Sequence, residues 1–302
     1  MKIEKRTHTI EEIDELKAWF QEKESTLPAT MQINSSAYTP DLKETISMLF
    51  EQAYICYENP KMQGCIWLLK KIKENLDTKS AVKKAAEIGA RGLQMYSTTG
   101  ENAPENLVGQ KRIELLNFVK DHGLVFSAIC GDLRVGFGNA ELNPGLIEKS
   151  KRIMDLAKEL ESDIVTTHIG VVPEDKNSDT YKIMQDACFE LAGYADSIGS
   201  HFAIETGPET SIVLKEFLDS LGSTGVAVNL DPANLIMLRG DDPVQAVYNL
   251  QKYIVHTHAK DGVQNFVEDP EIVYGLKKRP VDVIVTGDSF DEVPLGEGSV
   301  PW

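Results

Sequence analysis

The chain has 302 residues, 42% of them hydrophobic, which is enough for one large domain or two smaller ones. Its 47 acidic and 31 basic residues give a formal net charge of -16, and such a surface repels phosphate backbones, so nucleic acid is excluded as the expected partner. No stretch approaches the roughly 18 consecutive apolar residues of a membrane span, and the first 20 residues lack the apolar run of a signal peptide, so we expect neither.

The four cysteines are Cys56, Cys65, Cys130 and Cys188. None forms a C-x-x-C pair, and none has zinc-type spacing to a histidine. We therefore expect reduced core cysteines in a cytoplasmic protein, with a disulfide or zinc framework as the alternative.

The first 77 residues are predicted to form a small all-helical region. Apolar residues recur three or four positions apart in residues 10–24, 41–58 and 63–76, as they do on one face of a helix. The one strand candidate is TMQINSSA, residues 30–37. This region loosely resembles a small bacterial helical domain of unknown function, and that resemblance implies no chemistry.

From Thr78 onward the pattern alternates between helices and apolar strands. Six helix-to-strand steps are predicted, with the strands at residues 91–97, 124–132, 163–170, 201–207, 226–232 and 253–261. Such alternation is typical of βαβ units and a parallel sheet. A doubly wound sheet is the competing architecture, but no G-x-G-x-x-G phosphate turn is present. We therefore predict a TIM-barrel-like α/β fold over residues 78–302, with about six of eight β/α units.

Ionisable side chains stand at the ends of four predicted strands: His168, Glu205, Asp231 and His258. In a TIM barrel these ends form the active-site face, so the four groups would converge. Glutamate, aspartate and histidine together suit Mn²⁺, Mg²⁺, Co²⁺ or Zn²⁺. Each residue also has a structural alternative: a helix cap for Glu205 or Asp231, a hydrogen bond to a loop carbonyl for His168, and a satisfied structural histidine for His258.

Five segments carry a resemblance to a known family: THIG (167–170), AIETGPE (203–209), VNLDPANL (228–235), HTHAKD (256–261) and PLGEG (294–298). They resemble sugar phosphate isomerases/epimerases of the xylose-isomerase-like TIM-barrel superfamily. The resemblance implies that Glu205, Asp231 and His258 bind a divalent metal, with His256 as the alternative histidine ligand. It also implies a catalytic role for His168 near the substrate, and substrate contacts from Asn234, Lys260 and His256. The alternatives are that Asn234 only begins a helix, and that Lys260 forms a surface pair with Asp261.

The activity that the resemblance implies is isomerisation or epimerisation of a sugar or sugar phosphate by proton transfer through an enediolate. Glu205 is the candidate base, and the metal would act as a Lewis acid. The alternatives are a metal-dependent phosphodiesterase similar to the DNA-repair endonucleases of this barrel type, and a non-catalytic barrel used for binding.

The chain departs from the family pattern at both ends of the barrel. Members open with a strand before the helix at 79–90, and they continue past the G-E-G segment to a strand that ends in a second metal-binding Glu, for which Glu297 is a poor substitute. We therefore expect a C-terminally truncated barrel without its first and last strands. The alternatives for how this arises are a truncated reading frame, a fusion artefact, a homo-oligomer or partner that closes the seam, and a degenerate family member. Residues 263–293 are predicted to form a lid or irregular loop, with 281–288 as an alternative extra strand.

Overall fold

The structure is a computed structural model that describes residues 10–24, 42–56, 69–70, 77–275, 277–280 and 287–302. The chain divides into two compact units, one formed by residues 1–93 with 99–125 and the other by residues 94–98 with 126–302. The predicted strand at 30–37 and most of the predicted helix at 63–76 lie outside the described residues. The predicted domain boundary between residues 77 and 78 stays a prediction.

The first unit contains helices, as predicted for the amino-terminal region. They are α1 (Ile10–Lys23), α2 (Leu42–Cys56), α3 (Thr78–Glu87) and α4 (Gln110–Asp121). The apolar stripe of α1 buries Leu16 and Phe20, and the Phe20 ring packs edge-on against Phe50 of α2 at 5.7 Å. The three-to-four-residue spacing of the sequence is therefore the spacing of a buried helix face.

Six parallel strands form the sheet, in the order β1-β2-β3-β4-β5-β6. They are β1 (Gly92–Tyr96), β2 (Val125–Cys130), β3 (Ile164–Thr167), β4 (His201–Glu205), β5 (Val226–Leu230) and β6 (Ile254–Thr257). The longer helices after β2 are α5 (Asn143–Glu159), α6 (Asp179–Ile198), α7 (Ser211–Leu221) and α9 (Pro243–Leu250), with a one-turn α8 (Pro232–Asn234) before a π-helical turn (Leu235–Arg239). This half-barrel confirms the predicted TIM-barrel-like α/β fold with six strands.

Helix caps and strand burial explain why these elements begin and end where they do. All five residues of β5 are buried, as expected for a parallel strand covered on both faces. The Ser178 hydroxyl accepts a hydrogen bond from the Tyr181 N–H at the start of α6, and the Thr210 hydroxyl does the same for Val213 in α7. These caps fix the short connections that carry the strand ends.

A two-stranded antiparallel sheet follows the parallel one. It pairs β7 (Asp261–Gln264) with β8 (Phe290–Val293), and a short helix α10 (Pro270–Val273) lies between them in the chain. The region predicted as a lid or irregular loop therefore contains regular structure at both ends. Most of the alternative strand at 281–288 lies outside the described residues.

Two further observations bear on the sequence predictions. Among the described helices, none combines the length and the apolarity that a membrane crossing needs. Cys130 and Cys188 are free and buried, and the side chains of the other two cysteines lie outside the described part.

Candidate metal centre

The site is built from side chains that lie level with one another across neighbouring strands. Glu205 at the end of β4 pairs in register with Asn229 of β5, and Asn229 pairs with His256 of β6. Asp231 and His258 follow two residues later, on the same faces as Asn229 and His256 because side chains alternate along a strand. A register shift at Val228/Asn229 interrupts the β5–β6 pairing where these side chains project.

The row of side chains in register continues onto β2 and β3. The register of β3 with β4 places His168, the residue after β3, beside Glu205, and the register of β2 with β3 places Asp132 beside His168. Five neighbouring strands therefore contribute one row of polar side chains at the carboxyl edge of the sheet, with Asp231 and His258 just above it.

Glu205, Asp231 and His258 come together at this edge. One ligand atom of each lies within 4.8 Å of the ligand atoms of the other two. The Nδ1 atom of His258 is 3.5 Å from Glu205 Oε2 and 3.6 Å from Asp231 Oδ2. The three residues predicted as metal ligands thus form one cluster of two carboxylates and one imidazole.

The two carboxylate oxygens of Asp231 have different surroundings. Oδ1 accepts a hydrogen bond from the Asn234 N–H at 3.0 Å and so caps α8. Oδ2 is buried without a hydrogen bond from the described residues, and it lies 3.1 Å from the Lys260 ammonium. Burial alone would raise the pKa of Asp231, but His258 and Lys260 outweigh it and lower the pKa. The helix-cap alternative therefore accounts for one oxygen, and the other faces the cluster.

His258 is oriented by a partner on the first strand of the sheet. Its Nε2 lies 3.1 Å from the Gln94 side-chain oxygen, which can only accept, so Nε2–H donates there and Nδ1 faces the carboxylates. The nearby carboxylates of Asp231 and then Glu205 raise the pKa of His258 to about 9. Carboxylates that favour a proton at Nδ1 also favour a metal cation there.

His256 lies differently, although it is only two residues away. Its Nδ1 is 3.0 Å from the Asn229 side-chain oxygen, and the Asn229 amide nitrogen lies 3.4 Å from Glu205 Oε2. Burial, followed by the nearby His258, lowers the pKa of His256. The structure thus places His258, rather than His256, against both carboxylates, and the predicted substrate contact of His256 stays a prediction.

Glu205 is held by Asn234. Its Oε1 accepts a hydrogen bond from the Asn234 side-chain amide at 2.9 Å, whereas Oε2 faces His258. Gly207 makes this approach feasible: its φ is +141°, and a Cβ there would lie 2.5 Å from the Asn234 Cβ. Thr210, not Glu205, caps α7, so the carboxylate of Glu205 remains directed into the site.

Lys260 lies inside the site, not in a surface pair with Asp261. Its ammonium donates to the Asn234 side-chain oxygen at 2.7 Å and lies 3.1 Å from Asp231 Oδ2 and 3.4 Å from Glu292. The predicted substrate contacts of Asn234 and Lys260 stay predictions, but both residues touch the carboxylate cluster.

His168 lines a cavity next to the cluster. Its Nδ1 is 3.2 Å from Asp132 Oδ2, its Nε2 is 3.9 Å from Glu205 Oε1, and its ring centroid is 5.4 Å from that of Tyr274. Burial opposes the charged imidazole, but Asp132 and Glu205 outweigh it and raise the pKa of His168. The cavity measures about 250 Å³ and is lined by Asp132, Arg134, Val135, Gly136, His168, Gly170 and Tyr274. This is smaller than the roughly 300 Å³ at which pockets for drug-sized ligands begin, so it suits a small molecule.

Sequence reasoning missed several of these residues. Asp132 stands at the end of the predicted strand 124–132, as His168 stands near the end of 163–170, so the rule that selected His168 should have selected Asp132 too. Gln94, Asn229 and Tyr274 gave no local signal, because they reach the site through strand register or from a distant segment.

A further buried carboxylate, Glu209, lies in the loop after β4. Its Oε2 accepts a hydrogen bond from the Val172 N–H at 3.3 Å, and its Oε1 has no partner among the described residues. Burial raises the pKa of Glu209 to about 8, so the group is held largely as a neutral acid at neutral pH.

A parallel half-barrel with carboxylates and an imidazole clustered at the carboxyl ends of its strands defines a class: α/β barrel proteins with a candidate metal centre. The family model described as xylose isomerase-like TIM barrel matches residues 82–302, and the chain belongs to this family. A second model, a domain of unknown function (DUF6965), matches residues 11–78. No curated protein matches the sequence significantly.

Solved structures share the fold. A xylose isomerase domain protein from Planctomyces limnophilus is 23% identical with a TM-score of 0.60, covering 73% of this chain and 77% of its own. The IOLI protein with a bound zinc atom is 18% identical with a TM-score of 0.56, covering 74% of this chain and 76% of its own. A D-tagatose 3-epimerase-like protein is 19% identical with a TM-score of 0.53, covering 64% and 75%. At these identities the similarity establishes the fold alone.

Proposed function

We propose that this protein is a divalent-metal-dependent isomerase or epimerase of a small sugar or sugar phosphate. The observation that carries the proposal is the cluster of Glu205, Asp231 and His258, whose ligand atoms lie within 4.8 Å of one another. Membership of the xylose isomerase-like family supports the reaction class.

The residues fit a cation on three grounds. Ligand atoms bound at about 2.0–2.6 Å to one ion are at most about 5 Å apart, which the cluster satisfies. Asp231 Oδ2 is a buried carboxylate oxygen whose neighbours are the Lys260 ammonium at 3.1 Å and His258 Nδ1 at 3.6 Å, so it faces cationic groups rather than backbone donors. His258 has its Nε2 engaged by Gln94, which leaves Nδ1 for the ion. Two carboxylates and one imidazole suit Mn²⁺, Mg²⁺, Co²⁺ or Zn²⁺.

The chemistry follows from how the two oxygens of Glu205 are divided. A divalent cation supplies Lewis-acid polarisation of the substrate carbonyl when it is bound. Oε2 of Glu205 faces His258 and the cluster, whereas Oε1 faces His168 across 3.9 Å. We therefore assign to Oε1, which also accepts the Asn234 amide hydrogen bond, the role of taking a proton from the carbon next to the carbonyl and returning it. Asn234 and Lys260 supply hydrogen-bond donors beside this position.

Metal binding is tested by titrating the apo protein with Mn²⁺ and measuring both the dissociation constant and the melting temperature. We expect a saturable rise in melting temperature, because a ligand that binds only the folded state stabilises it. Glu205→Gln should abolish the response, while Glu190→Gln, which alters an exposed ion pair with Lys151, should leave it unchanged. A wild-type protein that does not respond to any of the four metals would refute the proposal.

Turnover is tested by incubating the metal-loaded protein with a panel of ketoses and their phosphates in D₂O. Proton transfer next to a carbonyl places deuterium on a substrate carbon, which NMR detects even when the product is unknown. Metal binding without deuterium incorporation would favour the binding-only alternative, and cleavage of abasic-site DNA would favour the phosphodiesterase. A cytoplasmic location, and an oligomer or partner at the sheet edges β1 and β6, remain predictions.

A further inference from the structure

Asp132, the residue that sequence reasoning missed, is held from two sides. It lies just beyond β2, and its side chain is only 15% exposed. Its Oδ1 accepts a hydrogen bond from the Arg134 N–H at 2.9 Å, and its Oδ2 lies 3.2 Å from His168 Nδ1. The backbone bond fixes the carboxylate, so its orientation does not depend on the histidine.

This contact determines which nitrogen of His168 carries a proton. An ionised carboxylate can only accept hydrogen bonds, so Nδ1 must be the donor in the neutral imidazole as well as in the charged one. Nε2 is then the nitrogen left to exchange a proton. A carboxylate in this position is a common way of fixing the tautomer and ring orientation of a functional histidine.

The free nitrogen faces the carboxylate that we propose as the base. Nε2 of His168 lies 3.9 Å from Glu205 Oε1, which is too long for a direct hydrogen bond. The cavity beside them is closed on one side by the Tyr274 ring and is about 250 Å³ in volume. Among the residues that line this cavity is His168, and Glu205 Oε1 lies 3.9 Å beyond its Nε2, so a small ligand bound at Nε2 lies close to that oxygen.

We propose that Asp132 is a positioning residue that holds His168 with Nδ1–H bonded, so that Nε2 exchanges a proton with a substrate hydroxyl beside Glu205. In the forward step the hydroxyl O–H bond breaks, its electron pair stays on oxygen and an N–H bond forms at Nε2, and the reverse step returns the proton. Glu205 takes and returns the proton on the neighbouring carbon. The inference rests on the proposed function for the identity of the substrate. The tautomer of His168 is independent of that function, because it follows from the contact with Asp132.

The tautomer is measured by long-range ¹H–¹⁵N NMR on the full chain labelled at histidine, at a pH where the imidazole is neutral. His168→Gln assigns the signals. We expect the neutral wild-type ring to carry its proton on Nδ1, and Asp132→Ala to move the proton to Nε2, the form that an unpartnered imidazole prefers. Asp155→Asn, which removes the charge of an exposed aspartate bonded to Tyr194, should change nothing.

A neutral wild-type His168 protonated on Nε2 would overturn the proposal, and so would an unchanged tautomer in Asp132→Ala. If that variant fails to fold, the wild-type spectrum alone decides. Mn²⁺ affinity of the wild type, measured on the same samples, separates the two proposals: a wild type that binds no metal refutes the proposed function and leaves the tautomer result standing. Once a substrate is found, Asp132→Ala should lower kcat at least about tenfold and change KM less.

Discussion

Asp231 and Asp261 are both almost fully buried, but their carboxylates are satisfied in opposite ways. Asp261 accepts hydrogen bonds at 2.9–3.1 Å from backbone N–H groups of Gly296, Gly298 and Val300 and from the Trp302 indole. Asp231 accepts a backbone bond on one oxygen only, and its other oxygen faces the side-chain cations, with the Lys260 ammonium at 3.1 Å and His258 Nδ1 at 3.6 Å.

The difference separates a structural carboxylate from a candidate ligand. Both oxygens of Asp261 are used, so it anchors the segment at 294–302 and has nothing left for an ion. Gly298 reflects this packing, since a Cβ there would collide with the Asp261 carboxylate. Burial would raise the pKa of Asp261, but the bonds from Val300 and Trp302 outweigh it and lower the pKa to about 2. The kind of partner, more than burial, therefore separates the two aspartates: backbone and indole donors surround Asp261, whereas side-chain groups face Oδ2 of the candidate ligand Asp231.

The largest expected effect comes from Asp231→Asn. Changing a residue that only hydrogen-bonds to a metal ligand already costs about 10–100-fold in affinity, so loss of a charged ligand should weaken Mn²⁺ binding at least about 100-fold. Isothermal titration measures it. Asp261→Asn should leave the Mn²⁺ affinity unchanged, and equal losses in both variants would break the comparison.

Glu209 adds a third case, a buried carboxylate that holds a proton in place of an ion. Below its ordinary pKa of 4.5 both folded and unfolded states are protonated, and as pH rises toward 8 only the unfolded chain ionises, so stability falls. Between pH 5 and 7 the wild type should lose about 2 kcal/mol relative to Glu209→Gln. Urea unfolding at several pH values measures the difference, and parallel pH profiles would show that Glu209 is ionised in the folded protein.

Asp261→Asn should destabilise the segment it anchors. An asparagine keeps one acceptor oxygen but turns an NH₂ group toward backbone donors, leaving some of them unpaired. We expect amide exchange at Gly296, Gly298 and Val300 to accelerate at least about tenfold, with a smaller change elsewhere. Hydrogen exchange read by mass spectrometry tests this, with Asp155→Asn as the control. Unchanged protection would mean that the hydrogen bonds to Asp261 do not hold the segment.

The smallest expected effect comes from Gln94, which orients the candidate ligand His258. Gln94→Leu removes the acceptor for His258 Nε2–H while leaving all three candidate ligands in place. Mn²⁺ affinity should fall about tenfold, the lower end of the range for residues that hydrogen-bond to a metal ligand. Gln245→Leu, which changes an exposed glutamine bonded to Asn249, is the matched control. No loss in Gln94→Leu would indicate that His258 is oriented by the carboxylates alone.

Much of the fold follows from local patterns. The six helix-to-strand steps appear with boundaries close to those predicted: β4, for example, is predicted at 201–207 and observed at His201–Glu205. Apolar strands and capped helices are encoded within short windows, so they can be read locally. The pairing of β7 with β8 could not be predicted, because each strand has only four residues and its partner lies more than 25 residues away.

The sequence by itself determined which strands end in ionisable residues, and therefore which carboxylates and imidazoles are available at one edge of the sheet. Tertiary structure decided how they are used. His256 and His258 project from the same strand face. Asn229 on β5 occupies a hydrogen-bonding position beside His256, whereas Gln94 on β1 holds His258 against the carboxylates of Glu205 and Asp231. Asp132 likewise acquires its partner through strand register. The physical reason is that side-chain type is local, whereas the partner that orients a side chain comes from another strand.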